Sequence, residues 1–122
     1  YFVSAAAWNE ETALSFNAGR GGNSDITDEL GGLTVRAITI DRLLNGGHCS
    51  FLKMDIEGSE LNALKGAEKT IKAQKPRLAI CVYHKPQDIF EIPEYINSIR
   101  DDYRFYMRRY EETFCETVLY AV

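Results

Sequence analysis

The chain has 122 residues, 45% of them hydrophobic and 26% charged, and a formal net charge of −4. These values are ordinary for a soluble globular protein and allow one domain with a modest core. The acidic balance and the scattered basic residues argue against a nucleic-acid partner, which requires a basic face. No apolar run approaches the roughly 18 residues that a membrane span requires, so we expect no membrane partner.

The cysteines and the first residues indicate the setting of the chain. Cys49, Cys81 and Cys115 lie far apart and lack CxxC spacing, which favours neither a disulfide framework nor a zinc site. Free thiols fit a reducing compartment, so we expect a cytoplasmic protein. His48 beside Cys49 has no second pair at ligand spacing, and we assign no metal ligand from the sequence. The start lacks a methionine and a signal peptide, and we expect that the chain begins partway through a domain.

Short strands and a loop are predicted at the start. Residues 1–8 are apolar and too few for a self-sufficient helix, and residues 12–17 alternate, so both segments indicate strands. Residues 17–25 are dense in glycine and asparagine, which predicts a loop. The GRGG at residues 19–22 lacks the flanking strand and helix of a phosphate-binding loop, so a flexible loop is favoured.

Two strands and a helical turn follow. Residues 33–44 alternate and are rich in β-branched side chains, which predicts a strand. Asp41 then opens a short helical turn as its N-cap, and the NGG at residues 45–47 ends it. Residues 49–56 are an apolar strand that ends at a group of acidic residues.

The second half of the chain alternates helices and strands. Residues 59–72 predict a helix with Ser59 as N-cap, and residues 88–100 predict another, whose regular part is limited by Pro93. Between them, residues 77–84 have the continuous apolar centre of a strand covered on both faces. The last residues indicate an antiparallel hairpin. The order predicts one α/β domain with a largely parallel sheet. The apolar stripe of the first helix is Leu61, Leu64, Ala67 and Ile71.

The acidic group after residues 49–56 is the candidate site. Ligands of open α/β sheets bind at the carboxyl ends of strands, where Asp55 and His84 would face one crevice. Asp55 could bind a metal, orient a hydroxyl or amine, or act as a base, and His84 could exchange a proton. Gly58 suits a tight turn. Glu60 serves the start of the helix in the simpler interpretation, and Glu57 is either an exposed turn residue or a functional one.

The stretch KMDIEGSELNALKGAEKTI resembles the signature of FkbM-type methyltransferases, which use S-adenosylmethionine and mostly methylate oxygens of natural products and sugars. The flanking segments SAAAWNEETALSF, VRAITIDRLL and KPRLAICVYH are similar too, so the resemblance covers nearly the whole chain. The signature positions are Lys53, Asp55, Glu57, Gly58, Glu60, Leu64, Gly66 and Ala67.

The resemblance implies the class I methyltransferase (Rossmann-like) fold, a mixed sheet with a terminal antiparallel hairpin. Residues 1–8 would be its third strand and residues 50–56 its fourth, with Asp55 beside the methyl donor and acceptor. Ser4, Ala5 and Ala6 would lie near the adenine, and Glu57, Gly58 and Glu60 at the rim of the site.

The family's glycine-rich donor loop and its ribose-binding acid do not match any segment of this chain, which therefore resembles the C-terminal part of the domain. The missing first and second strands lie between the third and the fourth. We expect residues 1–8 to pair with the edge of residues 50–56 or with a partner chain, since open edges invite pairing and self-association.

The leading hypothesis is methyl transfer from S-adenosylmethionine to an oxygen of a small molecule or sugar, with Asp55 as the orienting group and His84 as the base. A variant adds a divalent cation held by Asp55 and other oxygens. The alternative is a non-catalytic methyltransferase-like module for binding or assembly, which the missing donor loop favours.

Overall fold

The structure of the protein, a computed structural model, describes residues 1–18, 24–26, 33–112 and 116–122, and every structural statement below refers to these residues. Its helices and strands are named in chain order. They are β1 (Ala6–Ala7), β2 (Thr12–Ala18), β3 (Ser24–Ile26), β4 (Leu33–Ile38), α1 (Ile40–Leu44), β5 (Phe51–Met54), α2 (Glu60–Lys65), α3 (Glu68–Gln74), β6 (Arg77–Cys81), α4 (Asp88–Ile99), β7 (Phe105–Arg109) and β8 (Thr117–Ala121).

The strands form two mixed sheets of four strands each. The N-terminal sheet has the order β1-β4-β2-β3, and the C-terminal sheet has the order β5-β6-β8-β7. The predicted α/β class and the terminal antiparallel hairpin of β7 and β8 are confirmed. The predicted largely parallel sheet is wrong: among the described strands, β1 pairs in parallel with β4 and β5 with β6, whereas the other four pairs are antiparallel. No helix in the described ranges is long and apolar enough to cross a membrane.

The first strand is shorter than predicted and has a different neighbour. Only Ala6–Ala7 is extended, and it pairs in parallel with β4, with Ala6 opposite Ala37. The Trp8 amide continues this edge by donating to the Ile38 carbonyl at 3.1 Å. The expected pairing with the strand of residues 50–56 is wrong, because β4 offers its own edge to β1 within the first half of the chain.

The loop predicted at residues 17–25 is partly wrong. Asn17, Ala18 and Ser24 belong to an antiparallel pair of β2 and β3, in which Ala18 lies opposite Ser24. The GRGG at residues 19–22 and Cys115 lie outside the described residues.

The N-cap of the helical turn after β4 lies two residues earlier than predicted. Thr39 is its N-cap, with an extended backbone and a hydroxyl that accepts from the Arg42 amide at 3.0 Å. Asn45 ends the turn in the left-handed region, with φ of 45°. The predicted N-cap role of Asp41 is therefore wrong for α1, and its carboxylate is used elsewhere.

The helix predicted over residues 59–72 is two helices with a break at Gly66 and Ala67. The Asp41 amide donates to the Gly66 carbonyl at 2.9 Å, which diverts that carbonyl from a continuous helix. The Asp41 carboxylate accepts from the amides of Lys69 at 3.0 Å and Thr70 at 2.8 Å, and from the Thr70 hydroxyl at 2.7 Å. Asp41 thus caps α3, not α1, and joins the two halves of the chain.

A close backbone contact supports the same junction. A Cβ at Gly66 would lie 2.0 Å from the Trp8 carbonyl oxygen, a distance no side chain tolerates. The glycine of the signature therefore lets the segment after β1 pack directly against the end of α2.

The core lies between the helices and one face of the C-terminal sheet. Its fully buried side chains come from β6 and β8 and from the predicted apolar stripe of α2 and α3. Helix α4 continues through Pro93, which it accommodates internally, so the predicted limit there is wrong. Both faces of β6 are buried, as predicted. The buried cluster between the helices and the sheet includes Leu64, Ala67, Ile71, Leu78, Ile80, Val82, Ile92, Ile96 and Leu119. A second buried cluster, on the other face of the sheet, includes Ala79 and Cys81.

Candidate active site

The carboxyl ends of β5 and β6 bring the predicted site residues together. The two strands are parallel, and Lys53 lies opposite Ala79 in their register. Asp55 follows β5 directly and His84 follows β6 after two residues, so both side chains reach the same edge of the sheet. The predicted convergence of Asp55 and His84 is seen, with 3.7 Å between Asp55 Oδ1 and His84 Nε2.

The turn between β5 and α2 has an unusual backbone. Glu57 has φ of 55° and Gly58 has φ of 84°, both in the left-handed region. A non-glycine residue there costs about 1 kcal/mol or more, so Glu57 is held in place by its surroundings. At Gly58 an added Cβ would lie 2.9 Å from Lys85 Cε and 3.5 Å from His84 Cβ. The Lys85 ammonium also donates to the Gly58 carbonyl. Gly58 makes the predicted turn and lets His84 approach it.

Glu60 is fully buried, unlike an ordinary acid at a helix start. Its Oε1 accepts from the Ile56 amide at 2.8 Å, which closes the turn. Ser59, at the N-cap position, makes no side-chain capping bond. Oε1 also lies 3.1 Å from His84 Nδ1, and Oε2 has no hydrogen-bond partner. Glu60 therefore has the expected structural role and also faces the site.

His84 lies at the centre of this group. Its side chain is 9% exposed, and Nε2 lies 3.4 Å from Glu57 Oε2. The contacts to Glu57 and Glu60 are of ion-pair length but lack the direction of hydrogen bonds, so neither ring nitrogen has a hydrogen-bond partner. The ring packs against that of Tyr83, with 4.1 Å between centroids.

Asp55 is the accessible member, with a 39% exposed side chain. The Tyr83 hydroxyl donates to its Oδ1 at 3.0 Å, and Lys53 Nζ lies 3.6 Å from its Oδ2. Burial favours the neutral acid, but the hydrogen bonds from Cys81 and Tyr83 and the charge of Lys53 outweigh it and lower the pKa of Asp55. Burial and the bond to Asp55 raise the pKa of Cys81 to about 12.

Three residues of this site were not predicted from the sequence as functional: Tyr83, Cys81 and Asp88. In the parallel pairing of β5 and β6, Met54 lies opposite Ile80, so the next residues, Asp55 and Cys81, are neighbours. Tyr83 is two residues after Cys81 and therefore on the same face. The strand register, had it been known, would have identified Cys81 and Tyr83 as neighbours of Asp55. Asp88 is 3% exposed, and burial together with the charge of Glu60 raises its pKa. The sequence predicted Asp88 as the first residue of a helix, and α4 begins there.

Ser4, Ala5 and Ala6 lie in and just before β1, in the N-terminal sheet. Ala5 and Ala7 border a small cavity of about 60 Å³ together with Ile38 and Leu43. The prediction that this segment lies near an adenine remains a prediction.

Comparisons with known proteins agree with the resemblance of the sequence. The methyltransferase FkbM domain family matches residues 4–110. The crystal structure of the methyltransferase FkbM from Methylobacillus flagellatus KT is similar, with a TM-score of 0.76 and 32% identity. The match covers 97% of this chain and 27% of the other, so the chain spans about a quarter of that protein's length. No curated protein matches the chain.

The chain belongs to the FkbM methyltransferase family. The match takes in the site, since Asp55, Glu57, Gly58, Glu60 and His84 all lie between residues 4 and 110. The cluster is therefore part of the family domain.

Proposed function

We propose that this protein takes part in S-adenosylmethionine-dependent methyl transfer to an oxygen of a small molecule or sugar. The family supports methyl transfer. The observation that carries the proposal is Asp55, which is partly exposed at a strand end, held by the Tyr83 hydroxyl, and adjacent to His84. Buried or restrained ionisable groups at strand ends are typical of active sites.

We propose that the chain adopts part of the class I methyltransferase fold. The order β5-β6-β8-β7 agrees with the fourth, fifth, seventh and sixth strands of that fold, and β1 with the third. Both β1 and β5 are edge strands of their sheets. In this proposal the family's first and second strands would lie between them, and the chain would be the C-terminal part of one domain.

The residues present fit only one side of a donor site. S-adenosylmethionine supplies a methyl group on a positively charged sulfur, and ligand pockets of its size usually measure about 300 Å³ or more. The cavity beside Ala5 measures about 60 Å³. Ser4, Ala5 and Ala6 would contact the adenine side, and we derive no methyl-transfer step from this chain alone.

The acceptor side is more fully formed. Asp55 would accept a hydrogen bond from the acceptor hydroxyl and so fix its direction. His84 would take the hydroxyl proton, with Glu60 beside Nδ1 to orient the ring and stabilise the charge it gains. Glu57 and Gly58 would form the rim. Positioning of this kind can supply much of a rate enhancement.

A substitution of Asp55 tests this function. Asp55→Asn keeps the size of the side chain and the Tyr83 contact but removes the charge, and we expect turnover to fall by about a hundredfold or more. Transfer of labelled methyl from S-adenosylmethionine to hydroxylated acceptors by the full protein that contains this chain, with acceptors first screened on the wild type, measures it. Asp101→Asn, an exposed matched control, should leave turnover unchanged. Unchanged turnover in Asp55→Asn would refute the role of Asp55.

A non-catalytic module for binding or assembly is the second candidate. The observation that favours it is the small cavity at Ala5, which does not enclose a donor. The sequence that precedes Tyr1 in the full protein discriminates the two. A strand followed by a glycine-rich loop there favours the enzyme, whereas a stop or an unrelated domain favours the module.

Self-association is a further part of this proposal. Among the strands that the structure describes, none pairs with the outer edge of β5, and its first residue, Phe51, is 55% exposed. Open strand edges pair readily with other chains. For the second candidate, in which no further strands of the domain would cover this edge, we therefore propose self-association through it. For both candidates we propose a reducing compartment such as the cytoplasm, which suits the free thiols Cys49 and Cys81. Sedimentation at two protein concentrations tests the self-association.

A further inference from the structure

The cluster around His84 carries more negative than positive charge. Among the described residues, four carboxylates lie there, and the ammonium groups close to them belong to two lysines. One of those, Lys85, is bound to the Gly58 carbonyl, and the other, Lys53, lies on the exposed side of Asp55. The carboxylates are those of Asp55, Glu57, Glu60 and Asp88.

Several polar atoms in this cluster are buried without a hydrogen-bond partner. They include both ring nitrogens of His84 and Glu60 Oε2. The side chain of Glu60 is 0% exposed and that of His84 is 9% exposed. Burial of a polar atom without a partner costs about 1–3 kcal/mol, and proteins keep very few. These atoms therefore point to a ligand that accepts electron pairs from carboxylate oxygens and an imidazole.

The positions of these atoms suit a single small ion. One ligand atom each from Asp55, Glu60 and His84 lies within 4.8 Å of the others. Two atoms bound to one ion at roughly 2.1 Å each lie about 3 to 4.2 Å apart, so small side-chain rotations bring the set to binding distance. The pair Glu60 Oε1 and His84 Nδ1 already has this spacing, at 3.1 Å.

We propose that Asp55, Glu60 and His84 form a binding site for a divalent transition-metal ion. Carboxylates suit Mn²⁺ and imidazole suits Zn²⁺ and Fe²⁺, so this mixed set fits a first-row divalent ion, and Mn²⁺ serves as the probe for it. Metal-bound histidines usually donate their second ring N–H to a carboxylate. With Nδ1 bound to the ion beside Glu60, the Glu57 carboxylate lies 3.4 Å from Nε2, near enough to accept this N–H after a small side-chain rotation. The partly exposed Asp55 and Glu57 border the entry path.

The ion would change how the proposed reaction begins, and this step rests on the proposed function. An acceptor hydroxyl bound to the ion becomes more acidic and releases its proton to solvent or to Glu57. His84 would then be a ligand and not the base. The metal site itself does not depend on methyl transfer, so its test uses neither a donor nor an acceptor.

Titration of the protein with Mn²⁺ alone tests the site. Electron paramagnetic resonance reports the loss of the free-ion signal, and we expect one saturable site. Glu60→Gln keeps an oxygen for the Ile56 amide and His84→Asn removes the imidazole, so each should lower affinity by about tenfold to a hundredfold or more. Pulsed measurements should show a nitrogen coupling in the wild type that His84→Asn abolishes.

Matched controls come from the same chain. His48→Asn and Glu94→Gln change exposed residues outside the cluster and should bind Mn²⁺ as the wild type does. Circular dichroism confirms that each variant is folded, and Asp55→Asn provides a second test on a more exposed ligand. No saturable binding by the wild type, or equal affinity in folded His84→Asn, would overturn the metal site. Methyl transfer that persists in excess chelator would then leave the proposed function standing with His84 as the base.

Discussion

The C-terminal sheet is packed on its helices by side chains, whereas the N-terminal sheet is joined to the rest mainly through its backbone. In the C-terminal sheet, Leu78, Ile80 and Ala121 are completely buried. Among the side chains described in the N-terminal sheet, Ala37 is the one that is completely buried. The free energy of folding therefore comes mostly from the half that also carries the site.

The junction between the halves depends on a few atoms. The Trp8 carbonyl packs against Gly66, the Asp41 amide donates to the Gly66 carbonyl, and the Asp41 carboxylate caps α3. These contacts fix where the N-terminal sheet sits without a large apolar interface. Variants at the junction should therefore loosen one half from the other, and variants inside the C-terminal half should not.

Gly66→Ala should have the largest effect. Its Cβ would overlap the Trp8 carbonyl, which cannot rotate away because it belongs to the backbone. We expect a loss of about 3 kcal/mol in the free energy of unfolding. Urea unfolding measures it with two signals: circular dichroism for the helices and the fluorescence of Trp8, the single tryptophan, for the junction.

The two signals make this result informative. We expect them to coincide in the wild type and to separate in Gly66→Ala, with the fluorescence transition at lower urea. Lys65→Ala, at the exposed preceding position, should change neither signal appreciably. Coincident transitions in Gly66→Ala would mean that the two halves unfold as one unit and that the junction does not join separable parts.

Asp41→Ala should have the next largest effect. It removes two amide partners at the start of α3 and a hydroxyl partner, all accepted by one carboxylate. Loss of a cap costs about 0.5–2 kcal/mol, and this one should lie near the upper end because Thr70 is buried. Thr39→Ala removes the single, exposed bond of the α1 cap and should cost less. Equal costs for both variants would show that the Asp41 bonds add nothing to the junction.

Local patterns predicted most of the C-terminal half. The apolar stripe of Leu61, Leu64 and Ile71 and the continuous run of β6 depend on neighbouring residues, so periodicity found them. The convergence of Asp55 and His84 was also predicted, because the carboxyl ends of neighbouring parallel strands meet at one edge of the sheet.

Contacts distant in sequence explain what was missed. The break at Gly66 depends on Asp41 and Trp8, neither of which a helical pattern over residues 59–72 includes. The pairing of β1 with β4 depends on which free edge is nearer in space. The contacts of Tyr83 with Asp55 depend on the register between two strands. All three features depend on contacts between residues distant in sequence, which the local propensity of a segment does not predict.

Tyr103→Phe should have the smallest effect and lies wholly within the C-terminal half. Tyr103 is buried, and its hydroxyl donates to the Pro76 carbonyl at 2.7 Å at the start of β6. Its loss leaves that carbonyl without this partner and should cost about 1 kcal/mol near pH 7. Because the junction is untouched, the helix and Trp8 signals should stay coincident, in contrast to Gly66→Ala.

The pH dependence of the same variant sharpens the test. Burial raises the pKa of Tyr103 from its ordinary value of 10.0 to about 12 in the folded protein. The raised pKa stabilises the folded state fully below pH 10, and this stabilisation is lost as the pH rises from about 10 towards 12, because the unfolded chain releases the proton first. The difference in the free energy of unfolding between the wild type and Tyr103→Phe should therefore shrink as the pH rises from about 10 towards 12. Tyr106→Phe, which removes the hydroxyl of a 52% exposed tyrosine, is the matched control. A constant difference between wild type and Tyr103→Phe from pH 8 to about 11 would show that the Tyr103 hydroxyl is not shielded by the C-terminal core.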